Sequence, residues 1–193
     1  MEAIIRPPRT AMEVFKLLPE GSLVEVIENN LYMSPTPITP HQRMVRKLLV
    51  KLDAWIEEKS LGEVFIAPFD VYLDEHTNAV QPDIIYVSNE NSTIVDEEST
   101  IHGVPDLLIE ILSPGNRNYD LEIKKNLYEK FGVKEYWAID PLTKEVLGYF
   151  LIDGKYLDAE MLKGKIASKL LSKTFIFLNE SNLFSPLFGK ANS

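Results

Sequence analysis

A strand buried on both faces, with a glutamate in its middle, constrains this chain more than any other feature. In PDLLIEIL, Leu107, Ile109 and Ile111 fill one alternation set and Leu108 and Leu112 the other, so neither face of the strand is suited to water. Glu110 falls in the second set. A carboxylate there needs a buried cation or a metal ion, because an uncompensated buried charge is costly. Asp83, beside the apolar β-type run of QPDIIYVS, raises the same question.

One candidate partner follows the strand after the Ser113-Pro114-Gly115 break. The spacing predicts a helix from about 118 to 131, with Gly132 as its stop. At about 100° per residue its core stripe runs through Asp120, Ile123, Leu127 and Phe131, and Lys124 lies about 40° from the centre of that stripe. Lys125 falls on the far side. A lysine beside a core stripe either snorkels to the rim or reaches a carboxylate. Tyr128, one turn later on the same flank, either joins that polar cluster or packs.

The rest of the chain supplies a scaffold of alternating type. Thr10 and Glu13 have the spacing of a capping box before a short helix from about 11 to 18. Leu23 to Ile27 and Leu31 to Met33 read as a hairpin turning at Asn29 and Asn30, and SPTPITP is too rich in proline for regular structure. Pro40 opens the clearest helix, in which Val45, Leu48, Leu49, Leu52 and Ile56 form one face and Gly62 is the expected stop. His41 extrapolates to the apolar side of its first turn, the position of a satisfied structural histidine. EVFIAP, FDVYLD and AVQPDIIYVS read as consecutive strands, residues 89–103 as a surface loop, and VKEYWAID and KEVLGYFLID as two strands joined at Pro141. Beyond Gly154 one weak β pattern, around Phe175 to Leu178, precedes a polar tail.

These elements fit an α+β fold in a single domain spanning 1–193. The longest apolar runs break well before ~18 residues and the amino terminus lacks a signal-type core, so the expectation is a cytoplasmic protein that crosses no membrane. With 0 cysteines, thiol chemistry is excluded, and carboxylates, carbonyls and the 3 histidines are left for any metal. A net charge of −9 argues against nucleic-acid binding over the whole surface but leaves room for a local basic groove. Arg43, Arg46, Lys47 and Lys51 cluster, as do Lys163, Lys165, Lys169 and Lys173; solvated faces are the plain reading of both.

Asp83 and Glu110 on neighbouring strands supply enough protein charge for one magnesium ion, and the Ile111 backbone carbonyl adds a third oxygen. The competing readings are an Asp83 that hydrogen-bonds locally after Pro82, and a Glu110–Lys124 ion pair without chemistry.

Pro82-Asp83, the apolar strand bearing Glu110 and a nearby lysine resemble the PD-(D/E)XK nuclease superfamily. More narrowly, TAMEVFKLLPEG, VEVIENNLYMSPTP with His41, VQPDIIYVS, VPDLLIEILSP and NYDLEIKKNLYEKFGVKEYWAIDP resemble the Uma2 family over about residues 10–180. That resemblance implies a restriction endonuclease-like core of α/β/α type, a central mixed β-sheet flanked by helices. It implies a Mg2+- (or Mn2+-) dependent endonuclease acting on DNA, with Asp83, Glu110 and Lys124 catalytic and Asp83, Glu110 and Ile111 holding the metal. One departure stands out: Leu112 occupies the position two after Glu110 where the superfamily has lysine, and Lys124 on the following helix takes its place. Glu25 matches a further acidic position, as a metal contact or as an exposed strand glutamate. His41 and Tyr128 would stand behind the metal ligands, and Asp106, in a second Pro-Asp pair, reads as structural. A homodimer would set one site against each strand of a duplex. The alternatives are a catalytically silent binding or scaffold domain of the same fold and a hydrolase of another phosphate ester.

Overall fold

The structure, a computed structural model, describes residues 7–19, 21–113, 115, 117–157 and 159–178; Pro114 and the polar tail lie outside the described residues. Helix α1 (Ala11–Phe15) is capped by Thr10, whose hydroxyl accepts the Glu13 N–H at 3.1 Å. The reciprocal half of the capping box is displaced by one residue, since the Glu13 carboxylate accepts from the Arg9 N–H. Strands β1 (Val24–Ile27) and β2 (Asn30–Met33) form the hairpin. It turns through Glu28 and Asn29, one residue earlier than expected, both in the left-handed region at φ 49° and 59° that a tight hairpin requires.

Helix α2 (Thr39–Lys59) buries His41, Met44, Val45, Leu48, Leu52 and Ile56 along one stripe. It stops at Ser60 (φ 51°) rather than at Gly62. Strands β3 (Gly62–Ile66), β4 (Val71–Asp74), β5 (Asn78–Val80) and β6 (Ile84–Ser88) follow. The run AVQPDIIYVS is thus two strands rather than one: Gln81-Pro82-Asp83 interrupts it, and β5 and β6 enter different sheets. Proline lacks the N–H a ladder needs, so the break falls at Pro82.

A 3-10 turn (Asn89–Ile94) and the short strand β7 (Ile101–His102) lie within the expected loop. Strand β8 (Leu107–Ile111) is buried at every position. After it, Tyr119–Lys124 form a π-helical turn in which the Lys125 N–H reaches back to the Asp120 carbonyl, and α3 (Lys125–Phe131) ends at Gly132 (φ 90°). Strands β9 (Glu135–Ile139) and β10 (Glu145–Ile152) are the expected antiparallel pair. Beyond them come β11 (Lys155–Tyr156), β12 (Glu160–Lys163), β13 (Lys165–Ser168) and β14 (Lys173–Ile176), where the sequence suggests only the last.

The central sheet runs β11-β10-β9-β8-β6-β3, with β12 also on β10, and is mixed, with β8 and β9 parallel. A parallel pair needs a crossover, which the π-turn and α3 provide. On one face, α2 packs against Ile84, Tyr86, Leu107, Ile109, Ile111 and Trp137. The other face, with Leu108, Leu112, Tyr136 and Ala138, is covered by Leu127 and Tyr128 of α3 and by a second sheet of order β2-β1-β5-β4-β7. The architecture is the α+β one of a central mixed sheet flanked by helices. Trp137, Tyr149 and Phe150 belong to its core. Trp137 lies flat over Gly148, where a Cβ would stand 2.2 Å from the indole ring.

Candidate active site

The strand register brings two carboxylates face to face. Ile84 of β6 pairs with Ile109 of β8, and one further step along the antiparallel ladder sets Asp83 opposite Glu110. By alternation Glu110 shares the face of Leu108, toward α3 and the second sheet, whereas Asp83, in the bend before β6, is met by His41 from the start of α2. Like charges opposed across a ladder repel, so such a pair needs cations close by.

Asp83 is held from two sides. Its Oδ2 lies 2.9 Å from His41 Nε2 and accepts the Ile111 N–H at 2.7 Å. An ionised carboxylate only accepts, so in this bond His41 donates from Nε2, and its other ring nitrogen is Nδ1. Among the described residues that Nδ1 is buried without a partner. The expected satisfied histidine is therefore satisfied on one nitrogen alone, because the other faces the packed interior at the start of α2. The N–H and C=O of a strand residue point to the same side, so the Ile111 carbonyl also faces the Asp83 side.

Glu110 is bound through one oxygen: Lys124 Nζ and the Tyr128 hydroxyl each donate to Oε1 at 2.8 Å. Lys124 also lies 2.8 Å from Oε1 of Glu25, which reaches over from the second sheet. Glu25 further accepts the Gln81 N–H at 2.7 Å and the Tyr119 hydroxyl at 3.1 Å. The reading of Glu25 as an exposed strand glutamate is overturned by its 0% exposure. Asp106 receives the Ser88 N–H and the Lys134 ammonium.

The π-turn corrects the expected helix face. Ile123 is 39% exposed and Lys124 only 4%, so the buried stripe is Asp120, Lys124, Leu127 and Tyr128. A wider turn advances fewer degrees per residue, which rotates Ile123 outward and carries Lys124 onto the sheet. The Tyr136 hydroxyl donates to the Asp120 carbonyl at 2.9 Å and holds that turn in place.

Asp120 is the residue that sequence reasoning missed as part of the site. The residue is 5% exposed and lines the same cleft, and its carboxylate has no hydrogen-bond partner among the described residues. Burial first, then the charges of Glu25 and Asp83 working against the pull of Lys124, raise it to about 7. The available signal was its place on the core stripe one turn before Lys124, where an aspartate poses the same question as Glu110. Burial likewise holds Glu110 well above the ordinary carboxylate range, against Lys124 and with Asp120, Asp83 and Glu25. For Lys124, burial works downward, yet Glu110 and Glu25 outweigh it and keep the amine an ammonium.

The cleft holds about 260 Å³ between these groups and the SPTPITP segment, with Pro35, Pro37 and Ile38 in its wall. Asp83, Glu110, Asp120 and the Lys124 ammonium line it, with Glu25 on the same ammonium, an oxygen-rich and cation-poor set whose chemistry suits a hard divalent ion. The second oxygens, Asp83 Oδ1 and Glu110 Oε2, accept no hydrogen bond among the described residues and are free to bind one. Among the described residues no group of three His, Asp or Glu side chains is arranged to hold a metal ion.

The Uma2 family model, described as "Putative restriction endonuclease", matches residues 11–173. A solved structure from Anabaena variabilis, titled as a putative nuclease belonging to DUF820, is 20% identical and covers 86% of this chain and 92% of its own, with a TM-score of 0.69. At that identity the likeness shows the fold. No curated protein matches the chain.

Proposed function

Because the chain belongs to the Uma2 family, we propose that it is a divalent-metal-dependent endonuclease that hydrolyses DNA phosphodiester bonds at the cleft of Asp83, Glu110 and Lys124. The observation that carries the reading is the meeting in one cleft of Asp83, which immediately precedes β6, and Glu110 of the adjacent strand β8, with a buried ammonium 2.8 Å from Glu110. Asp83, Glu110 and the Ile111 carbonyl would hold a magnesium or manganese ion, which would polarise the scissile phosphate and make an attacking water more acidic.

The chain's own groups do the rest. His41 and the Ile111 N–H fix the Asp83 carboxylate, leaving Oδ1 toward the cleft. Tyr128 fixes Glu110 in the same way. Lys124 remains charged between two carboxylates and is therefore a fixed cation for the charge that develops on the phosphate, rather than a base. Glu25 holds that ammonium in place.

Purified protein on plasmid, single-stranded and branched DNA, with magnesium and with chelator, tests the reading. Cleavage is expected only with metal, and a drop of about 100-fold or more is expected for Asp83→Asn, Glu110→Gln and Lys124→Met. Cleavage that survives all three substitutions would sink the assignment.

One observation favours a second reading, a silent module of the same fold: Lys124 is already neutralised by Glu110 and Glu25. Calorimetric titration with magnesium separates the two. The silent module gives no binding heat that disappears in Asp83→Asn, whereas the nuclease does.

A further inference from the structure

Beside the cleft stand four cations that the ion pairs of the fold leave unused. Arg43, Arg46 and Lys47 lie on the solvent side of α2 at three- and four-residue spacing, and with Lys144 from the β9–β10 turn they line one concavity that includes Pro141 and Leu142. None of the four is within salt-bridge reach of a carboxylate among the described residues. In a chain with 29 acidic residues against 20 basic ones, such a gathering is a local reversal of sign. Burial and then the charge of Lys47, against the pull of Asp140, hold Lys144 below the ordinary lysine range, as expected where one cation faces another.

The concavity is continuous with the cleft. A hollow containing Arg117 shares Ile38 and Ser113 with the cleft on one side and Pro141 and Leu142 with the basic concavity on the other. Along α2 the axial distance from His41 to Lys47 is about 9 Å, or about two to three nucleotide steps of a strand. The other basic cluster lacks these features: Lys169 lies over the Phe150 ring at 3.6 Å and Lys173 over Trp55 at 4.2 Å, and neither lines the cleft.

Resting on the nuclease reading above, we propose that Arg43, Arg46, Lys47 and Lys144 form a track that seats the phosphodiester backbone of a DNA substrate on the α2 flank of the cleft. Phosphates of a strand are regularly spaced anions that release counterions when neutralised, and a row of unpaired cations leading into a cleft of carboxylates is complementary to them. The overall negative charge then confines DNA to this flank.

Fluorescence anisotropy with a labelled DNA duplex, in chelator and again in calcium, tests the track without requiring cleavage. Arg43→Glu/Lys47→Glu is expected to weaken binding about tenfold or more, and Arg43→Gln/Lys47→Gln to flatten the salt dependence of log K by about 2. The equal charge change Lys165→Glu/Lys169→Glu should leave binding within about twofold. Circular dichroism of each variant guards against misfolding. If wild type binds DNA and the two reversal pairs weaken it equally, or neither does, the track is overturned while the nuclease reading stands. Wild type that retains no DNA at low salt in either condition overturns both. Tighter binding of an RNA duplex through Arg43 and Lys47 overturns the choice of DNA.

Discussion

Lys124 sits between Glu110 and Glu25 at 2.8 Å from each, in a volume that also contains Asp120. The raised proton affinity of Asp120 sets a sign for pH dependence. A carboxyl group whose folded pKa lies above its unfolded value favours the folded state below the unfolded pKa, near 3.8, and that advantage is lost as pH rises toward about 7. Asp120→Asn should therefore leave melting unchanged near pH 4 and raise it increasingly up to pH 7–8, by at most about 4 kcal/mol; melting curves across that range in chelator check it. Magnesium should shrink the difference, because a bound cation removes the cost of ionising Asp120. At this scale Asp83, Glu110 and Lys124 were legible because a charge in an apolar run demands a partner. Asp120 satisfies the same criterion. It escaped because it was counted as part of an apolar stripe instead of being asked what compensates it.

The elements were legible wherever one period held. The stripe of α2 and the two-sided burial of β8 follow directly from residue spacing, and both are as expected. The helix after β8 was misread by part of a turn, since 3.6-residue arithmetic has no provision for a π-turn set by a tertiary contact, the Tyr136 hydroxyl on the Asp120 carbonyl. Tyr136→Phe should cost about 1–2 kcal/mol by leaving that carbonyl short of its buried donor. It should also lower cleavage by more than the lost stability explains, because the turn carries Lys124; chemical denaturation and rate measurements on one preparation separate the two effects. The β9–β10 pair invites a second test. Trp137 occupies the space over Gly148, so Gly148→Ala forces a buried indole to move and should destabilise the protein by about 1–3 kcal/mol, read from the denaturation midpoint. The first three strands beyond Gly154, β11, β12 and β13, escaped sequence reading because they are short and partly exposed, with no sustained alternation of apolar residues.

Taken whole, the molecule's two larger sheets share a charged seam. Glu25 belongs to the β2-β1-β5-β4-β7 sheet and Glu110 to the central one, and Lys124 bridges them. Which sheet each strand would join was not legible, because Pro82 divides a run that sequence alone reads as continuous, and strand order rests on contacts between distant segments. Lys124→Met should cost about 3–5 kcal/mol at pH 7, since it leaves two carboxylates buried without their cation. The loss should diminish on acidification as those carboxylates take up protons, a trend that denaturant titrations at pH 5 and pH 7 measure.

The seam also has a consequence in time. Glu25 leaves the ribosome well before Lys124, and at about 5–20 residues per second the interval lasts about 5–20 s. During that interval the growing chain lacks the cation that both carboxylates require, so a ribosome-bound fragment cannot assemble the cleft. A site built this way is complete only after both sheets exist.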